Sequence, residues 1–150
     1  MIKSGVHRDF LKFKQYFIKR LGRKATTDVQ LSKEGEIHFG KRFLGVFMQN
    51  EINLGKTGML IANVDNTGQP GSHWVSCVIC PKTIFVYDSF GRPSTQLLKT
   101  LSRNAMKRNI KIVDSDYSPE QWGKSEICGP LCLAWLACVK KHGVRSALRI

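Results

Sequence analysis

His73, Asp88, Gln121 and Cys128 occur in that order, each inside a short segment whose neighbours suit a chemical role. A thiol attacks as its thiolate, an imidazole partners it in sharing a proton, and a carboxylate on the far ring nitrogen fixes the tautomer and orientation of that imidazole. An amide donor beside the sulfur would stabilise the oxyanion that forms when a carbonyl is attacked. Together the four residue types define nucleophilic acyl transfer by a cysteine.

The elements around them must supply the positions. Gln121 to Pro130 is polar and turn-rich, and Leu131-Cys132-Leu133-Ala134-Trp135-Leu136-Ala137-Cys138-Val139 follows at once and reads as a buried helix. Cys128 therefore falls at a helix N-terminus, where unpaired amides and the positive end of the dipole favour charged sulfur. Pro130 suits the first turn, where its missing N–H costs nothing. Gly71-Ser72-His73 leads as a turn into the apolar run Trp74 to Ile79, placing the imidazole at the entrance of a strand. Thr83 to Tyr87 reads as a second strand, which Asp88 caps. Joined through Cys80-Pro81-Lys82, the two strands form a hairpin that sets His73 beside Asp88. Gln121, seven residues before Cys128, can offer its amide next to the Cys128 backbone N–H.

The remaining pattern gives an α+β domain. Phe10, Phe13, Phe17 and Leu21 at helical spacing predict a basic amphipathic helix over Arg8–Leu21, within an N-terminal segment 1–24. It packs on the core or docks on an acidic or membrane surface. Lys41–Glu51 and Gly58–Val64 read as short strands, Ser94–Asn109 as a helix and Ile110–Val113 as a strand. The helix from about Gly129 to His142 is apolar nearly all round and must be central. At 150 residues the chain reads as one domain, 1–150, burying roughly two-thirds of its unfolded surface.

Five segments carry a family resemblance: Phe43-Leu44-Gly45-Val46-Phe47, Ile61 to Gly68, Gly71-Ser72-His73-Trp74, Tyr87-Asp88-Ser89-Phe90-Gly91, and Gln121 through Cys128-Gly129-Pro130-Leu131-Cys132. In order and approximate spacing they resemble the adenovirus maturation protease family, adenain, from about Asp28 to His142. The resemblance implies a papain-like or adenain-like cysteine protease fold, with the nucleophile on a central buried helix packed on a mixed sheet. It implies that His73, Asp88, Gln121 and Cys128 are the catalytic set of a cysteine endopeptidase. It further implies viral precursor polypeptides as substrates, cleaved during virion maturation, in an adenovirus-like element, a virophage or a related DNA virus. SUMO- and ubiquitin-like-deconjugating proteases share the arrangement, but their Gln usually lies one residue nearer the Cys. An isopeptidase on such tails is therefore the alternative substrate reading. Adenain members continue further past the nucleophile than the twenty-two residues present here, and capture an activating peptide through an upstream cysteine. This chain has no cysteine between Cys80 and Cys128, so the peptide cofactor is not carried over.

Singly, each residue has a plain structural reading: a strand-edge histidine, a turn-forming aspartate, a surface glutamine and a small buried thiol. A zinc site from Cys77, Cys80, Cys128 and Cys132 is disfavoured, because no glycine turn separates the first two. No metal is expected, and no cofactor is needed for the chemistry.

The net charge of +13 is spread along the chain and favours polyanions. Lys19, Arg20, Arg23, Lys24, Lys41, Arg42, Lys107 and Arg108 are the candidate contacts for double-stranded DNA, bound without sequence preference and in a salt-dependent way. The resemblance implies DNA as an activator, whereas the plain reading of the charge is surface solvation. A catalytically inactive, basic DNA-binding virion protein is the alternative of another class. Five cysteines without a leader pattern suggest a reducing setting, in the virion, host nucleus or cytoplasm. Leu131 to Val139 is too short to span a membrane. The expectation is a soluble monomer.

Overall fold

A computed structural model describes residues 5–150, so positions 1–4 of the expected N-terminal segment lie outside the described residues. The domain is α+β, built on one five-stranded mixed sheet. Its strands are β1 (Phe43–Met48), β2 (Gly58–Asn63), β3 (Trp74–Ile79), β4 (Thr83–Tyr87) and β5 (Lys111–Asp114), and they lie side by side in chain order. β1 runs parallel to β2 and β4 parallel to β5, while the two central pairings are antiparallel.

The central strands are apolar except at a few positions such as Asn63 and Ser76, because both faces of the sheet are covered. Met59, Ile61, Val78, Phe85 and Tyr87 face one layer of helices. Their alternates Leu60, Ala62, Val75, Cys77, Ile79, Ile84 and Val86 face the other, as the two-residue period of a strand requires. The first layer holds α1 (Gly5–Leu21), α2 (Asp28–Phe39), α5 (Cys128–His142) and the short α6 (Val144–Ala147); the second holds α3 (Ser94–Leu97) and α4 (Lys99–Lys107).

α5 is the apolar helix expected near the centre, and it begins at Cys128 itself. Leu131, Trp135 and Leu136 are fully buried, and each such side chain contributes about 1.5–3 kcal/mol. Two contacts then fix how far the helix slides along the sheet. The Ser76 hydroxyl on β3 donates to the Cys132 carbonyl at 3.0 Å, and the Trp135 ring stacks on Tyr87 of β4 at 5.4 Å with planes 6° apart. A single hydrogen bond adds only about 1 kcal/mol, so burial supplies the stability and these contacts supply the register. α1 lays Phe10 and Phe17 into the core against α5 rather than leaving an apolar face free.

Three expectations need correction. The helix predicted over Ser94–Asn109 is two helices, broken at Leu98, where φ is −118° and ψ 59°. Leu98 turns wholly into the core. Gln49 reaches across to replace the lost backbone bonds: its Oε1 accepts from the Thr100 and Leu101 amides at 3.0 and 3.1 Å. The strand predicted over Lys41–Glu51 is shorter, Phe43–Met48, because a 3₁₀ turn closes each end. α2 was not anticipated at all. Its apolar pattern is poor, with Val29 and Ile37 exposed and Glu34 buried, and a capping box between Thr27 and Gln30 starts it instead.

Candidate active site

The predicted hairpin is present, with Cys80 and Thr83 exchanging backbone hydrogen bonds across its turn. His73 stands one residue before β3 and Asp88 one residue after β4. The imidazole Nε2 and Asp88 Oδ1 are 2.5 Å apart, and both side chains are buried. His73 is also held from its other flank, where its carbonyl accepts from the Val64 amide at 3.0 Å.

Cys128 comes to this pair from the helix layer. Both hydrogen bonding and charge from Cys128 raise the affinity of the His73 ring for a proton. With Nε2 committed to Asp88, Nδ1 is the ring nitrogen left for the sulfur. Burial alone would push the His73 pKa down; the bonds to Asp88 and Cys128 reverse that, and the net shift is upward. Burial alone would likewise raise the Asp88 carboxyl, but hydrogen bonds from His73 and Arg92 hold it below the ordinary aspartate value. Three other cysteines have thiols shifted by burial. Burial pushes Cys77 and Cys138 up to about 12 and Cys132 well above its ordinary value, so they stay protonated and inert at neutral pH.

His73 and Cys128 open on a cleft of about 750 Å³, with Asp88 buried behind the imidazole. His73, Trp74, Phe90 and Arg92 line it from the hairpin side, Thr26 from the lead-in to α2, and Cys128 from α5. The Trp74 indole donates to the Thr26 carbonyl at 3.1 Å, tying those walls together. Gly129 explains itself here: a Cβ at that position would lie 1.9 Å from Thr26 Oγ1. Only a glycine after Cys128 lets the α2 lead-in pass this close to the helix.

Gln121 is buried, as a site residue should be, but it is anchored to the hairpin rather than to the sulfur. Its Nε2 donates to Ser89 Oγ at 2.5 Å, and its backbone N–H to the Ser89 carbonyl at 3.2 Å. No hydrogen bond joins it to Cys128 among the described residues. Its Oε1 is buried without a partner. Because a hydroxyl donates as readily as it accepts, the amide can turn over, with Oε1 on Ser89 and Nε2 in the unpartnered position. Glu120, the neighbour of Gln121, accepts from the Tyr87 hydroxyl at 2.8 Å. Burial is the main cause that pushes its carboxyl up to about 7.

Two residues in this region escaped the sequence reading. Arg92 donates from its backbone N–H and from Nε to Asp88 Oδ2, at 2.9 and 3.1 Å. Its sequence signal was the four-residue offset from Asp88 through a Gly-containing turn. Thr27 caps α2 beside the cleft, and its signal was the Thr-x-x-Gln box.

The basic residues fall into two groups. Lys19, Arg23, Lys24, Lys41 and Arg42 are exposed on or beside α1 and α2, whereas Lys107 and Arg108 are exposed at the end of α4, in the layer across the sheet. Arg20 is already engaged: its Nε and Nη2 reach the two oxygens of buried Glu34 at 2.6 and 3.2 Å. Among the described residues no group of three His, Cys, Asp or Glu side chains is placed to hold a metal ion, and no helix is long and apolar enough to cross a membrane. Neither the protein-family models nor the curated proteins compared with this chain match it.

Proposed function

We propose that the chain is a cysteine endopeptidase of the adenain-like group that cuts viral precursor proteins during virion maturation. The observation that carries this reading is the meeting of a buried His73–Asp88 pair with a sulfur at the first position of a buried helix, with His73 and Cys128 both lining one cleft. The central helix on a mixed sheet supports the adenain-like fold to the same extent.

In the proposed reaction His73 takes the Cys128 proton on Nδ1 and forms an imidazolium–thiolate pair, which Asp88 orients through Nε2. Sγ attacks the scissile carbonyl carbon and forms the C–S bond. Negative charge collects on the carbonyl oxygen, where the Cys128 backbone N–H and the turned-over Gln121 amide receive it. Collapse of this intermediate breaks the C–N bond, and His73 gives its proton to the departing amine. Water then attacks the thioester, His73 removes its proton, and the acid leaves with Sγ restored.

Non-specific association with double-stranded DNA belongs to the same proposal and rests on the charge of +13. Lys19, Arg23, Lys24, Lys41 and Arg42 are its nearest set of exposed cations, and Arg20 contributes there only by giving up Glu34.

Hydrolysis of a peptide library by the reduced protein, compared with Cys128→Ala, tests the reading. Cleavage of internal bonds that vanishes in the variant is expected; equal cleavage by both proteins contradicts it.

A further inference from the structure

We propose that Arg92 is a positioning residue of the site, a clamp that fixes the free oxygen of Asp88 so that the other oxygen faces His73. This rests on the cysteine-hydrolase reading and adds a fifth member to its machinery.

An aspartate that must orient an imidazole has two oxygens and a soft terminal torsion that interchanges them. Here each oxygen has its own task. Oδ1 meets His73 Nε2, and Oδ2 accepts from the Arg92 backbone N–H and from its Nε. The turn that allows this is specific. Gly91 sits at φ +71°, its amide bonded to the Asp88 carbonyl, and a Cβ there would lie 2.3 Å from the Tyr117 carbonyl oxygen. The chain thereby doubles back and delivers residue 92 to the carboxylate of residue 88.

Arg92 grips the pair a second way. Its guanidinium lies 4.9 Å from the centre of the Phe90 ring, and that ring lies 5.3 Å from the His73 ring. The cation therefore meets the carboxylate directly and backs the imidazole through one aromatic layer. The asymmetry of burial is favourable: the Asp88 side chain is 2% exposed and that of Arg92 44%. A half-solvated guanidinium lends charge to a buried carboxylate without itself losing its water, which avoids the main cost of burying an ion pair. The other titratable groups near Asp88 are His73 and, more weakly, Tyr87, Glu120 and Cys132. Arg92 is the only cation among these that does not exchange its proton during turnover, since an arginine stays charged throughout.

The test is the pH dependence of two rates, alkylation of Cys128 by iodoacetamide and peptide hydrolysis, in wild type, Arg92→Met, Arg92→Gln and Arg92→Lys. Met keeps the stem over Phe90 and loses the charge, while Gln keeps a donor. Without the cation Asp88 protonates at higher pH, and a protonated Asp88 no longer holds the imidazolium. The acidic limb of both profiles is therefore expected to move up by about one pH unit in the Met and Gln variants. kcat should fall with little change in KM, and Lys should recover part of both effects. Limbs that superimpose on wild type in the folded Met and Gln variants, even with a lower thermal midpoint, would overturn the clamp and leave Arg92 a structural residue. A different result sinks the underlying hydrolase reading: wild-type Cys128 reacting no faster than the buried cysteines, whatever stands at position 92.

Discussion

The two walls of the candidate site, the hairpin and the loop that carries Gln121, are built to different standards. On the hairpin wall both carboxylate oxygens of Asp88 are engaged, His73 is held by ring and backbone, and Arg92 and Phe90 close the back. On the loop wall Gln121 is tied to Ser89 by one side-chain bond and carries a buried oxygen with no partner. A buried polar atom without a partner costs roughly 1–3 kcal/mol, so it persists where something else repays it. In the proposed reaction the hairpin wall holds charge that exists before substrate arrives, so it must be finished in the free protein. Charge on the loop wall would exist only while a carbonyl is under attack, and Gln121, with its amide turned over, would have nothing to donate to beforehand.

That contrast can be broken most strongly at the hairpin. Asp88→Asn keeps the shape but presents an amide to Nε2, favouring the wrong tautomer, and kcat should fall by about 10⁴-fold. Steady-state hydrolysis by the folded variant measures it; a loss under tenfold would mean that the pair is only structural. Gln121→Ala should cost less, about 10²–10³-fold in kcat with KM nearly unchanged. The same variant sheds an unpartnered buried oxygen, so its thermal midpoint should hold or rise. A kcat within threefold of wild type would remove Gln121 from the oxyanion site.

The smallest effect concerns the hinge between the walls. Glu120 bonds Tyr87 on β4 and precedes Gln121 on the loop, and its folded pKa lies at about 7, above the ordinary 4.5. An acid raised on folding binds its proton more tightly in the folded state. The stability this gives is complete below about 4.5 and is lost as pH rises to about 7. His73, a base whose pKa is raised, adds a loss of the same sign as pH passes its folded value. Glu120→Gln should therefore reduce, and not abolish, the fall in thermal midpoint between pH 5 and pH 8. An unchanged fall would show that Glu120 is solvated at neutral pH.

The sequence announced the hairpin wall clearly. Apolar runs bounded by turns made β3 and β4 readable, and antiparallel pairing then had to bring His73 to Asp88. α5 was equally plain, since nine consecutive apolar or small residues after Pro130 leave only a central position. The unread parts depend on long-range contacts. The break at Leu98 comes from Gln49, about fifty residues away, capping α4 from outside. α2 hid because its buried face carries Glu34 and Gly35, which only Arg20 and Phe43 make sense of. Arg92 hid for a simpler reason, since an arginine in a turn ordinarily signals solvent. The spacing of Gln121 to Cys128 placed it near the sulfur, but its anchor on Ser89 was not readable, because that contact crosses between two loops.

The central claim, that Cys128 is the one activated thiol of the chain, is tested most directly by mapping the sites at which a limiting amount of an irreversible thiol electrophile modifies the reduced, folded protein. Modification should fall on Cys128 first, should be abolished there by His73→Ala, and should spare Cys77, Cys132 and Cys138. Reaction that begins at half-buried Cys80, or that leaves Cys128 untouched while the protein remains folded, would contradict the account.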